Sequence, residues 1–117
     1  DTARASAVMI ELCRLGPRPA GSAAAESARR LLRQELESIA STAAASGASL
    51  EVETVRASGA FYTDFLDGFT NVYHNASSLV ARLSWPGSRP EAILLNAHYD
   101  SFPGSPGGSD NAVNVGA

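Results

Sequence analysis

The chain has no lysine, only one cysteine and no long apolar run. Each absence closes off a class of explanation. Cys13 has no partner for an intramolecular disulfide within the 117 residues, and a thiolate zinc finger needs at least a pair of cysteines. No stretch approaches the roughly 18–20 apolar residues that span a bilayer. The opening Asp1-Thr-Ala-Arg lacks the basic-then-apolar order of a signal peptide. Both ends read as boundaries inside a longer chain, so targeting segments could lie on either side. All nine basic residues are arginine, against twelve acidic ones, for a formal net charge of −3. A weakly acidic chain exerts no long-range attraction on phosphate backbones, so nucleic acid is not expected as a partner. Hydrophobic residues at 44% and charged residues at 18% are an ordinary globular balance.

What is there begins with helical periodicity. Ala5, Val8, Met9, Leu12 and Leu15 recur at i, i+3, i+4, i+7 within residues 2–15. Gly16-Pro17 ends that helix, and Cys13 falls on its apolar face as a buried structural thiol. Gly16-Pro-Arg-Pro-Ala-Gly-Ser22 is a turn, with Ser22 as N-cap of a helix over about 23–44. Its apolar face is Ala28, Leu31, Leu32, Leu36 and Ile39, with Arg29, Arg30, Arg33 and Glu37 toward water. Residues 50–56 and 78–85 alternate as half-wet strands. Between them, 57–70 reads as an ordered excursion whose aromatics Phe61, Tyr62, Phe65 and Phe69 pack on the domain. Residues 91–97 are nearly continuous apolar, as in a central strand buried on both faces. The turn Pro86-Gly87-Ser88-Arg89-Pro90 would join 78–85 and 91–97 as a hairpin. Two helices and three strands make an α/β sandwich.

The apolar run leads into Asn96-Ala97-His98-Tyr99-Asp100-Ser101, then a Gly/Pro/Ser loop to Asp110-Asn111, with a possible helix from Ala112. In open α/β sheets, ligands gather at the carboxyl ends of strands. His98 and Asp100, two apart, would project to one side of an extended chain. Imidazole nitrogen and carboxylate oxygen both suit zinc. Asp100 could ligate or could orient His98, and Asp110 has two oxygens with which to bridge a metal pair. The same residues also permit a plainer reading, in which His98 faces solvent, Asp100 caps a turn and Asp110 caps a helix.

Two stretches, Leu95-Asn-Ala-His-Tyr-Asp-Ser101 and Ser105-Pro-Gly-Gly-Ser-Asp-Asn-Ala112, resemble the di-zinc aminopeptidases of peptidase family 28. The nearer likeness is to its endoplasmic reticulum metallopeptidase branch. The Gly16–Ser22 turn, followed by a helix, resembles the family's N-terminal segment, and Phe65-Leu-Asp-Gly-Phe-Thr-Asn71 resembles the reticulum branch. The resemblance implies an incomplete zinc-exopeptidase-type sandwich, a mixed β-sheet flanked by helices, with residues 1–117 as the N-terminal part of the catalytic domain. It implies that His98 binds one zinc, that Asp110 bridges two, and that Asp100 is the catalytic-site residue orienting His98. It also implies a cis peptide after Asp110. A Glu-Glu pair with the general base, a further carboxylate and a second histidine are expected downstream. The 117 residues alone are therefore expected to be inactive and weak in zinc, with exposed apolar sheet surface and poor solubility.

The activity implied for the whole protein is removal of N-terminal residues from peptides or proteins. Its implied setting is the lumenal side of the endoplasmic reticulum membrane, or a vacuolar membrane, with the full-length protein membrane-anchored. The rival reading is an inactive peptidase-like scaffold domain of a membrane protein; a third is a truncated piece with no function of its own. Asn75-Ala-Ser77 is an N-glycosylation sequon compatible with a lumenal setting. His74 reads as a surface residue and Arg18 as a turn residue between prolines. Ser101 and Ser105 lack the Gly-x-Ser-x-Gly elbow of a serine hydrolase, and the Gly104–Gly108 loop lacks a phosphate-cradle pattern.

Overall fold

A computed structural model describes residues 1–64 and 68–116. Helix α1 (Thr2–Arg14) is capped by the Asp1 carboxylate, which accepts from the amides of Ala3 and Arg4. Helix α2 (Ala23–Ala45) starts where the sequence predicts it: Ser22 is extended, and its hydroxyl accepts from Ala25 N at 3.1 Å. Gly16 and Gly47 follow the two helices with φ of 73° and 80°. No helix among the described residues is long and apolar enough to cross a membrane.

Strands β1 (Ser49–Thr63) and β2 (Phe69–Ser84) pair antiparallel, from Ser49 opposite Ser84 to Thr63 opposite Phe69. The register shifts between Ala57 and Gly59, where Asn75 sits at φ 53° and its amide donates to Ser58 Oγ. With helices beside a two-stranded sheet, the α/β class stands.

The segment expected to be an excursion is thus mostly strand. Its aromatics do not pack inward: Phe61, Tyr62 and Phe69 are exposed, and Phe61 contacts Tyr73 with ring centroids 6.4 Å apart. Phe65 lies outside the described residues. Alternation had marked only the outer halves of the two strands, because Gly59 and the aromatics on both faces break the period near the bulge.

The expected hairpin between 78–85 and 91–97 does not form. The turn is present, with Ser88 N donating to Trp85 O, but β2 pairs with β1 instead. Residues 91–97 make no strand pairing among the described residues, and Ile93, Leu94 and Leu95 are 91%, 88% and 88% exposed. An apolar run signals a preference for burial, but it does not say which neighbour provides it.

One small core joins the elements: Val8, Leu12, Ala28, Leu32 and Ala112 are buried, and Cys13, Leu79, Tyr99 and Val115 pack against them. Helices, β2 and the two ends of the motif region therefore share one apolar cluster. Cys13 is half-buried rather than buried. Arg4 of α1 pairs with Glu35 of α2 at 2.9 Å.

Arg29, expected to face water, instead lies mostly covered. It donates to Glu26 at 2.6 Å and reaches Thr54 of β1. Arg56 of β1 reaches the same carboxylate at 3.1 Å. The Arg29 hydrogen bond, partly opposed by desolvation and reinforced by Arg56, lowers the Glu26 pKa from 4.5 to about 2. A carboxyl with a depressed folded-state pKa contributes stability above its unfolded value, which is lost as pH falls toward the folded one. Acid should therefore weaken the α2–sheet contact between about pH 4.5 and pH 2. The partial exposure limits the effect to on the order of 1 kcal/mol or less. Unfolding midpoints across that window should converge for wild type and Glu26→Gln as the pH drops; parallel curves would contradict it.

Candidate metal centre

The motif region is held by its surroundings more than by its own hydrogen bonds. Tyr99 packs on the core, and its hydroxyl meets Ser77 of β2, with Oγ at 2.7 Å. At the other end Ala112 is fully buried, and its amide donates to Gly107 O at 3.1 Å. Between these anchors, a wide turn (Gly108–Ala112) departs from helical geometry at Asp110 (φ −122°, ψ 89°) and Asn111 (φ −136°, ψ 22°). The short helix α3 (Val113–Gly116) follows. The Asp110–Asn111 peptide is cis, as the family resemblance implies.

These anchors bring His98 and Asp110 together although they are twelve residues apart: His98 Nε2 lies 2.9 Å from Asp110 Oδ1. On the other side of the ring, Nδ1 lies 3.2 Å from both the carboxylate and the backbone carbonyl of Asp100. The imidazole thus sits between two carboxylates, with Asp100 placed to accept a hydrogen bond from Nδ1–H while Nε2 faces Asp110. The site opens to solvent, with the His98, Asp100 and Asp110 side chains 52%, 46% and 88% exposed.

Two ligands about 2.1 Å from a tetrahedral zinc stand about 3.4 Å apart. His98 Nε2 and Asp110 Oδ1 would need to part by only about half an ångström to hold a metal between them, and their donor types suit zinc. Among the described residues, no three His, Cys, Asp or Glu side chains converge on one metal-sized point, so the fit is that of a pair. Desolvation depresses the His98 pKa, but the Asp100 carbonyl and the Asp100 and Asp110 carboxylates outweigh it and raise it above 6.5. A metal would therefore have to displace a proton that the carboxylates help to hold.

Arg18 is the residue that sequence reasoning misjudged. Read from the sequence as no more than a turn residue between prolines, it is fully buried. Arg18 stands between Pro17 and Pro19, which have no amide hydrogens, so its own N–H is the donor this short stretch can offer. That N–H meets Ser101 Oγ at 2.9 Å, and Ser101 N returns a bond to Arg18 O at 3.0 Å. Ser101 Oγ also donates to Ser105 O at 2.7 Å. Its hydroxyl is thus committed to holding the loop, which agrees with the absence of a nucleophile elbow. The Arg-between-prolines pattern was the available signal, but nothing local tells a buried arginine from a surface one. His74 is exposed, as expected.

Residues 78–117 match the model of peptidase family M28. The chain is 36% identical over 115 residues to "Endoplasmic reticulum metallopeptidase 1" of Mus musculus, covering 97% of this chain and 13% of that protein. Against the Homo sapiens protein of that name the identity is 34%, covering 97% and 12%. A shorter match, 39% identical over 46 residues, is to "Vacuolar membrane protease" of Eremothecium gossypii, covering 39% and 4%. The chain thus spans about one eighth of the length of the metallopeptidases it matches. No solved structure matches it.

Proposed function

We propose, from a chain whose residues 78–117 match the model of peptidase family M28, that the whole protein is a zinc-dependent peptidase of aminopeptidase type. Its site would hold two metal ions, and residues 1–117 would form the N-terminal part of its catalytic domain. The observation that carries this reading is the 2.9 Å approach of His98 Nε2 to Asp110 Oδ1. Two zinc-compatible donors twelve residues apart meet at the point where the family match lies.

In this reading His98 and Asp110 would hold one metal between them, and Asp110 would also help to hold the second. Asp100 would accept a hydrogen bond from Nδ1–H, which fixes the tautomer and strengthens the imidazole as a ligand. Zinc, when bound, supplies Lewis acidity that polarises the peptide carbonyl and activates water as the nucleophile. The remaining ligands and the general base would come from residues outside this chain, so these 117 residues alone would not catalyse. The exposure of His98 and Asp110 supports the reading, because a substrate carbonyl needs access to the pair.

The substrates would be peptides or proteins with free N-termini. The relatives' names support a setting at the endoplasmic reticulum or vacuolar membrane. A lumenal site and membrane anchoring through other segments are part of the proposal. Asn75 of the Asn75-Ala-Ser77 sequon is exposed at the bulge, which suits that setting.

The test uses full-length protein purified in detergent and a set of peptides with free or blocked N-termini. Release of N-terminal residues should stop on removal of metal by a chelator and return on addition of zinc. Absence of cleavage by the zinc-loaded protein, or cleavage that survives the chelator, would overturn the enzyme reading. The first of these outcomes would favour the inactive scaffold.

A further inference from the structure

The buried arginine beneath the candidate site makes more contacts than the packing of a turn requires. Arg18 Nε donates to Tyr99 O at 3.0 Å. Its Nη1 faces three carbonyls: Leu12 at 2.7 Å, Gly16 at 2.8 Å and Pro106 at 2.7 Å. Tyr99 lies between His98 and Asp100, and Pro106 lies in the loop that leads to Asp110. One rigid, planar group therefore ties the segment that carries the imidazole to the loop that carries the carboxylate. It fastens both to the C-terminal end of α1. The bonds from Arg18 N to Ser101 Oγ and from Ser101 N to Arg18 O add a second tie on the same side.

The loop is shaped around this group. Gly107 has φ +58°, and a Cβ there would lie 2.6 Å from Ser101 Cβ, 2.8 Å from Asp110 O and 3.1 Å from Arg18 Nη2. The missing side chain lets the loop close over the guanidinium and brings Asp110 down beside it. Nη2 is buried without a hydrogen-bond partner among the described residues. Burying a charged donor group without full satisfaction is costly. An apolar residue of similar size would leave the carbonyls of Leu12, Gly16, Tyr99 and Pro106 without this donor, so the guanidinium performs a task that an apolar side chain cannot do. That task is to hold several carbonyls at fixed directions at once, which suits the forked geometry of arginine and not the single ammonium of lysine.

We propose that Arg18 is a positioning residue for the metal pair: by clamping the carbonyls of Tyr99 and Pro106 to one guanidinium, it sets the separation of His98 Nε2 and Asp110 Oδ1. Metal affinity and turnover then depend on a residue that touches neither metal nor substrate. The inference rests on the metal-pair reading above and goes beyond it by naming what holds the pair in register.

Zinc affinity of the full-length protein, measured by competition with a chromophoric chelator, separates the two ideas. The cobalt(II)-substituted protein adds a spectrum that reports coordination geometry. Arg18→Met should weaken zinc binding about 10–100-fold, the usual effect of losing a group that supports metal ligands. Arg18→Lys, which keeps the charge but not the fork, should recover only part of that affinity. Both should shift the cobalt visible bands and lower kcat with little change in KM, since Arg18 is fully buried and out of reach of a substrate. Ser101→Ala removes the hydroxyl that accepts from Arg18 N and donates to Ser105 O but keeps the Ser101 N–Arg18 O bond, so it should weaken zinc binding in the same direction by a smaller factor; if both Arg18 variants fail to fold, wild-type zinc affinity in Ser101→Ala overturns the proposal. Wild-type zinc affinity and an unshifted cobalt spectrum in the folded variants would overturn the proposal. If Asp110→Ala also keeps wild-type zinc affinity, the metal-pair reading itself falls. If Asp110→Ala loses zinc while the Arg18 and Ser101 variants do not, only the clamp falls.

Discussion

Asp110→Ala in the full-length protein should lower bound zinc per chain and reduce peptide hydrolysis by about a thousandfold. The side chain is 88% exposed and meets His98 at 2.9 Å, so its loss leaves no packing defect. Removing it withdraws a charged ligand from one metal and the bridge to a second. Metal assistance is worth several kcal/mol of transition-state stabilisation, and each 1.36 kcal/mol is a factor of ten in rate. The fold should be untouched, so thermal unfolding of the metal-free variant should match that of the metal-free wild type. Zinc content by atomic emission and initial rates on a free-amine peptide measure the two effects separately. Unchanged zinc together with unchanged rate would remove Asp110 from the site and leave the His98 contact as an ordinary surface hydrogen bond.

Gly21→Ala should be among the most damaging single substitutions outside that site. Gly21 has φ +80°, and a Cβ there would lie 2.1 Å from His74 O and 3.2 Å from His74 C. Both obstacles are backbone, part of β2 beside its bulge, and cannot swing away as a side-chain tip could. A left-handed alanine costs about 1–2 kcal/mol even in open space. The clash adds the work of moving either the entry to α2 or the bulged strand. Gly47 provides the control, since it has the same φ of +80° and nothing within 4 Å of its Cβ position. Gly47→Ala should show the conformational cost alone, and Gly21→Ala should exceed it by at least about 2 kcal/mol, within the range of overpacking in a tight site. Equal unfolding midpoints for the two variants would show that the α2–β2 approach is looser than these distances imply.

What could be read from the residues in order was whatever depends on near neighbours. The period of Val8, Leu12, Ala28 and Leu32 set which helix faces are buried, and Ser22 set where α2 begins. The motif set His98 and Asp110 twelve residues apart on either side of a glycine-lined loop, but their 2.9 Å approach depends on the anchors at Tyr99 and Ala112. The tertiary structure decided the rest. Alternation in 50–56 and 78–85 could not reveal that the strands pair through their aromatic middle, since register depends on a partner far along the chain. The apolar run 91–97 announced a need for cover without naming the neighbour, and Ile93, Leu94 and Leu95 stand exposed among the described residues. Arg18 shows the same limit most sharply: its covered guanidinium and the carbonyls of Tyr99 and Pro106 are more than eighty residues apart. An arginine is drawn into the interior only when distant backbone acceptors are brought around it to replace water. Local pattern can specify helices, caps and the chemistry of a loop; only folding brings together the acceptors that make such a burial possible.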